Sequence, residues 1–213
     1  MGVKLWESPM AADIRIVTPA LNLPEIPVLS GEYVRLEPLS PEHDEDLSQA
    51  CEDGKLHELW YTWVPNPGGM KAEIERRLSL YQSGTMMPFA IINKTSGKAV
   101  GMTTFMNIKL ENQKVEIGST WLAQSFHGTK INPEAKLLLL SYAFEVLKCN
   151  AVELRTHEMN LQSRAAIEKL GAKLDGILRN DMVMPNGSLR NTAVYSITIE
   201  EWPIVQSALF SRL

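Results

Sequence analysis

At 213 residues, with 45% hydrophobic and 22% charged side chains, the chain can bury one sizeable core and has the composition of an ordinary globular protein. A net charge of −4 and a pI near 5.6 argue against nucleic acid as its main partner. It lacks an uncharged apolar run of membrane-spanning length, a signal-type core in the first thirty residues, and any metal or disulfide spacing around Cys51 and Cys149, which points to a cytoplasmic protein with reduced thiols, no membrane contact and no metal.

Residues 1–30 carry Pro9, Pro19, Pro24 and Pro27 among scattered apolar residues, which predicts an extended arm. The alternation over 32–38, stopped by Pro38, predicts a first strand. Ser40-Pro41-Glu42-His43 then supplies a cap, a proline and an acid in the order that opens a helix, ending near Gly54. Residues 55–69 hold Trp60, Tyr61 and Trp63 beside Pro65-Asn66-Pro67-Gly68-Gly69, and these aromatics either wall a ligand pocket or fill the core. An amphipathic helix over 70–83 is closed by Gly84. Strands at 88–93, 100–110 and 115–122, joined by short turns, predict an antiparallel meander, and Gly118 inside the third predicts a bulge or a close approach of backbone to ligand.

The third strand runs through a loop into a helix that Asn132 (as cap), Pro133 (at the first helical position) and Glu134 (in the first turn) are placed to open. Such a junction presents unpaired N–H groups and the positive end of the helix dipole, which suits an anion. Lys130 and Lys136 add cations where the dipole disfavours them, so either a bound anion such as phosphate or neighbouring carboxylates compensate. A Walker loop is excluded, because Gly128-Thr129-Lys130 lacks the earlier glycine and the following Ser or Thr. The helix continues to about Lys148, apolar over most of its surface, with Glu134, Ser141, Glu145 and Lys148 on one narrow polar face. A strand over 151–156, parallel to the 115–122 strand, comes next, then a short helix from Asn160 to Gly171. A hairpin of strands 176–184 and 189–199 and a helix from Trp202-Pro203 complete the chain.

This order of elements resembles the GNAT superfamily of acetyl-CoA-dependent N-acetyltransferases over roughly residues 31–200. The stretch from Glu153 to Asn160, the string Ser163 to Ala172, then Asp175-Gly176-Ile177-Leu178-Arg179 and Gly187, is similar to the Rim-type branch, which includes enzymes acetylating the amino termini of ribosomal proteins. The resemblance implies an α+β (mixed αβα) fold: a mostly antiparallel sheet of about six to seven strands, splayed between the parallel central strands, with helices on both faces. It divides the chain into an arm over 1–30, the acetyltransferase domain over 31–200 and a helix over 201–213 packed on that domain. It further implies acetyl-CoA as co-substrate, an acceptor amine that is a small molecule or the amino terminus of a ribosomal or other protein, and, by analogy, a homodimer.

Residue roles follow from the same resemblance. In the superfamily the loop before the central helix reads Gln or Arg, any, any, Gly, any, Gly or Ala, and its main-chain N–H groups hold the cofactor pyrophosphate; His127, Gly128, Thr129, Lys130, Ile131 and Asn132 match it here. Lys130 stands where the middle glycine is usual, so a literal match requires Lys130 to take a backbone conformation that glycine takes easily. Main-chain groups of Thr120, Trp121 and Leu122 match those that bond the pantetheine arm and acetyl group. Asn160 matches a further partner of the arm, although asparagine there serves equally as a helix cap. Trp60 and Tyr61 fall in a loop that selects substrate. The family's direct attack in a ternary complex needs no covalent intermediate. Ser163 matches the Rim-type acid for the departing thiolate, or is a first-turn helix serine; Glu116 and Asp181 are candidates for the base, or solvated surface carboxylates. A non-catalytic sensor or scaffold that binds acetyl-CoA is the alternative reading.

Overall fold

The computed structural model describes residues 24–184 and 186–213, so the arm expected over 1–30 lies outside it as far as residue 23, as does the hairpin residue Pro185. Eight strands form one sheet: β1 (Leu29–Ser30), β2 (Val34–Pro38), β3 (Met86–Asn93), β4 (Ala99–Lys109), β5 (Lys114–Leu122), β6 (Ala151–His157), β7 (Lys173–Val183) and β8 (Leu189–Thr198), in the order β1-β2-β3-β4-β5-β6-β8-β7. All neighbours are antiparallel except β5 and β6, as the strand-helix-strand order between them requires. The expected mixed fold is therefore present. The count exceeds six to seven because the end of the expected arm, Leu29–Ser30, pairs with Leu36 and Arg35 as a short edge strand.

Helices cover both faces. On one, α1 (Asp44–Glu52) and α2 (Met70–Gln82) bury Leu47, Cys51, Met70 and Ile74 against Ala90, Ile92, Met102 and Trp121. On the other, α3 (Ile131–Ser141), α4 (Leu161–Leu170) and α5 (Trp202–Phe210) pack on Phe105, Val115, Ile117, Val152, Leu154 and Tyr195. Asp44, Glu45 and Asp46 in the first turn of α1 complement its dipole. The local signals for α4 act as read: Asn160 Oδ1 accepts the Ser163 N–H at 3.0 Å, and Gly171 stops the helix at φ +103°.

The start of α3 differs from expectation. Ile131 is its first residue and Lys130 its cap, with φ −71° and ψ −12°; Asn132 and Pro133 lie inside the first turn, and Asn132 caps nothing. The helix passes at Tyr142 into a π-helical turn that ends at Val146. Glu134, expected on the polar face, is buried. Its carboxylate accepts the backbone N–H groups of Glu32 and Tyr33, each at 2.7 Å, and of Val34 at 2.6 Å. Gly31 makes this approach possible, because a Cβ there would stand 2.3 Å from the Glu134 carboxyl carbon. The first turn of α3 is thus tied to the head of β2, a contact across some hundred residues that no local cap signal encodes. Glu134→Ala strands three N–H groups without an acceptor and is expected to cost about 3 kcal/mol or more of unfolding free energy, read from urea midpoints; a loss under about 1 kcal/mol would contradict this account.

Candidate active site

β5 and β6 pair only at Lys114↔Ala151, Val115↔Val152 and Glu116↔Glu153. Beyond that point β5 follows β4 as far as Leu122, while β6 follows β8 as far as His157. Two strands that keep their outer partners but lose each other leave a slot, whose inner edges carry backbone groups free to bond a ligand.

A bulge bends β5 at the mouth of the slot. Met102 pairs with Trp121 and Thr104 with Gly118, so Ser119 and Thr120 together face Thr103, with Ser119 at φ +48°. The bulge expected at Gly118 therefore sits on the next two residues. Gly118 instead leaves room for a neighbour, since a Cβ on it would stand 2.7 Å from both Glu116 Oε1 and Met106 Sδ.

Buried cations pin the bulge from both faces. From α2, the Arg77 guanidinium, 1% exposed, donates to Thr104 Oγ1 at 2.8 Å and to the Ser119 carbonyl at 3.3 and 3.4 Å, while its Nε donates to Glu73 at 2.6 Å. From α3, Lys136 Nζ donates to Thr120 Oγ1 at 2.8 Å, which lies 2.8 Å from Thr103 Oγ1. Burial of Lys136 brings its pKa down to about 7. No carboxylate among the described residues pairs with this lysine, and desolvation is what weakens its hold on the proton. Lys130 is exposed, its Nζ donating to the Tyr33 hydroxyl at 2.8 Å and lying 4.5 Å above the Tyr33 ring.

At the amino end of α3, the positive backbone angle falls on Gly128 at φ +74°, not on Lys130, so the lysine in the loop imposes no strain. The amides of Gly128, Lys130 and Asn132 have no hydrogen-bond partner among the described residues. Thr129 Oγ1 lies 3.4 Å from the Ile131 N–H, and His127 Nε2 lies 3.0 Å from the Leu122 carbonyl, which ties the loop back to the end of β5.

Glu116 stands where the slot begins. It is 5% exposed, accepts from Asn107 Nδ2 at 2.6 Å, and lies 3.5 Å from Arg155 Nε. Burial pushes its pKa above the ordinary carboxylate value, against the Asn107 hydrogen bond and the charge of Arg155. Arg155 is shared with Glu153, which also pairs with Lys114. Asp181 is exposed on a bulge of β7, where Arg179, Asn180 and Asp181 oppose Asn191 alone, and its charge acts on Arg155 and Arg190. An open cavity of about 640 Å³ lies over this bulge, lined by Ile177, Leu178, Arg179, Asn180 and Asn191.

Comparison with known proteins gives this arrangement a family. Residues 34–173 match the family model described as an acetyltransferase (GNAT) domain. The chain belongs to the GNAT acetyltransferase family. It is 33% identical to a GCN5-related N-acetyltransferase from Brucella melitensis, with 88% of this chain and 86% of that one covered and a TM-score of 0.77. It is 35% identical over 106 residues, 50% of this chain and 57% of the relative, to the Bacillus subtilis (strain 168) protein named "Putative ribosomal N-acetyltransferase YdaF". The match thus spans little more than half of that relative's length; its name agrees with the Rim-type resemblance. Mycobacterium smegmatis RimJ, solved in complex with CoA-disulfide, shares the fold at a TM-score of 0.70 and 22% identity, with 84% of this chain and 88% of that chain covered.

Within this GNAT domain the other expected site residues are distributed around the slot. Asn160 uses its Oδ1 as the cap of α4, and Ser163, half-buried, lies in the first turn of that helix. Trp60 is 54% exposed and meets Tyr61 and His157 edge to face at 5.5 and 5.1 Å; Trp63 is also exposed, so neither tryptophan fills the core. Tyr195 of β8 is fully buried, its hydroxyl bonded to Glu168 and Arg164. Sequence reasoning missed Arg77, Asn107, Arg155 and His157, which carry no local signature.

Lys136 gives a sign-definite test. A lysine whose folded pKa is about 7 binds fewer protons folded than unfolded between that value and its ordinary one, so this group makes stability rise with pH across the window. Lys136→Met lacks the titration. The stability of the wild type relative to the variant should increase by about 1 kcal/mol per pH unit from 7.5 to 9.5; a pH-independent difference would show that the amine is not titrating there.

Proposed function

We propose that the chain transfers the acetyl group of acetyl-CoA to a primary amine, of a protein amino terminus or a small molecule, by direct attack in a ternary complex. The observation that carries this reading is the slot itself. Free amides at a helix start lie on one side of β5, and a buried carboxylate with a raised pKa lies where β5 leaves β6.

In this reading the amides of Gly128, Lys130 and Asn132 bind the pyrophosphate, aided by the dipole of α3. The inner edge of β5 at Thr120, Trp121 and Leu122 holds the pantetheine arm and the thioester, and Asn160 supports the arm with the amide group its cap leaves unused. The amine nitrogen attacks the thioester carbonyl carbon and passes a proton to Glu116; the C–S bond then breaks, the thiolate takes a proton from Ser163, and the cycle closes as water returns a proton to Ser163 and Glu116 releases its own to water. Asp181, exposed beside Arg190, acts on the charge of the acceptor side rather than as the base. No covalent enzyme intermediate is needed, which agrees with the burial of Cys51 and Cys149. A cytoplasmic location fits this chemistry, and among the described residues no helix is long and apolar enough to cross a membrane.

Release of free thiol from acetyl-CoA, assayed over peptides and simple amines, tests the reaction; binding of acetyl-CoA without release over the whole panel would replace it with a binding role. With a weakly basic acceptor, kcat/KM should fall on the acid side through a pKa above the ordinary carboxylate range, because a base must be ionised to accept a proton. Glu116→Gln should abolish that limb and lower kcat/KM by about 10²-fold or more. Ser163→Ala should lower kcat by about tenfold or more while the calorimetric affinity for acetyl-CoA stays the same; unchanged turnover would remove Ser163 from the mechanism.

A further inference from the structure

The last residue of β6 is a histidine with one nitrogen committed and the other buried without a partner. His157 is 5% exposed, and its Nδ1 accepts the Met159 N–H at 3.0 Å, which leaves the ring proton on Nε2. Nε2 is buried and has no hydrogen-bond partner among the described residues. Buried donors are as a rule satisfied by protein or by ordered water, and this one opens beside the slot, where an acceptor atom of a ligand can take the place of water. The Trp60 ring, itself half exposed, packs edge to face on this imidazole at 5.1 Å between ring centres.

Register places His157 on the face of the sheet that bears the buried carboxylate. Glu116 pairs with Glu153, side chains alternate along a strand, and so Glu153, Arg155 and His157 of β6 share one face with Glu116. Across the next pairing, Thr192 stands opposite His157, and its hydroxyl is taken by Arg190 Nε at 3.0 Å. His157 lies four positions beyond the Glu153 pairing, about 13 Å at about 3.3 Å per residue, and the Glu116 carboxylate reaches part of that way to meet Arg155. An amine at Glu116 and a donor at His157 are therefore separated by the length of one or two extended backbone units plus a hydrogen bond at each end.

We propose that His157 is a specificity-determining residue of the acceptor site: its Nε2–H donates to a carbonyl oxygen of the acceptor, a few bonds beyond the reacting amine, and the acceptor lies beside the Trp60 ring. The site then favours amines that carry such an oxygen over bare alkylamines, because an alkylamine leaves the buried donor unpaired. This rests on reading the Glu116 end of the slot as the place of acetyl transfer.

The test compares a dipeptide amide with a free α-amine against an alkylamine of equal length without oxygen, using the full chain. The wild type should show kcat/KM at least about tenfold higher for the amide. His157→Phe should lose about tenfold on the amide and less than twofold on the alkylamine, and His157→Gln, which keeps a donor at similar reach, should recover most of the loss. Equal preference in the wild type, an equal loss on both acceptors, or a His157→Gln no better than His157→Phe would overturn the assignment and leave His157 as a brace for the turn at Met159. A binding arm separates this from failure of the reaction itself. Calorimetry of the dipeptide amide onto CoA-saturated protein should weaken about tenfold in His157→Phe even if no acceptor releases thiol, and unchanged or absent binding would overturn the role of His157.

Discussion

The cations that hold the bulge in β5 set the geometry on which the slot depends. Arg77 grips the Ser119 carbonyl from the α2 face and Lys136 grips the Thr120 hydroxyl from the α3 face. Ser119 and Thr120 together face Thr103, on the stretch of β5 that has already parted from β6. Ser119 sits in the left-handed region, which a non-glycine residue adopts at a cost. That cost is offset by bonds that exist only in the bulged conformation. Taking two cations into the interior is itself unfavourable, and the two sites resolve it differently. Arg77 keeps its charge against Glu73, whose own carboxyl burial would raise but Arg76 and Arg77 together hold below its ordinary value. Lys136, with no carboxylate beside it, gives up its proton near neutral pH instead.

The slot therefore has two electrically different ends. Around α3 the available groups are backbone amides and a helix dipole, with Lys130 drawn aside onto Tyr33, so an anion there would be held by main chain more than by side-chain charge. Around Glu116 the groups are a buried carboxylate and Arg155, and farther along the same face of β6 stands the His157 imidazole, whose pKa burial lowers and on which Trp60 packs.

What the sequence made legible follows the range of each interaction. The meander, the parallel crossover and α4 with its Asn160 cap and Gly171 stop were readable, because their signals lie within a turn or a few residues of what they determine. The start of α3 lies two residues earlier than its local signal for the same reason: Asn132-Pro133 is a good local cap signal, but the loop takes its positive angle at Gly128 and enters the helix at Ile131. Glu134, Arg77 and Lys136 look like surface charge on a helical wheel. Each is buried by a partner on another element: the head of β2 for Glu134, the bulge in β5 for the other two. No periodicity in their own helices announces that.

Gly118 shows how a correct signal can carry a different cause. An internal glycine in a strand signals a bulge or a close approach of backbone to ligand, yet the backbone of Gly118 is not in the positive region and the bulge lies on the residues after it. The missing side chain at 118 is filled by the Glu116 carboxylate, turned back along its own strand. That placement keeps Glu116 shielded from water and raises its pKa, while Asn107 and Arg155 hold it where the strands part. A larger residue at 118 would displace the carboxylate toward solvent, where its pKa would return toward the ordinary value and its contact with Arg155 would weaken. The glycine is thus an electrostatic requirement of the candidate base, and the bulge beside it is a separate requirement of the slot.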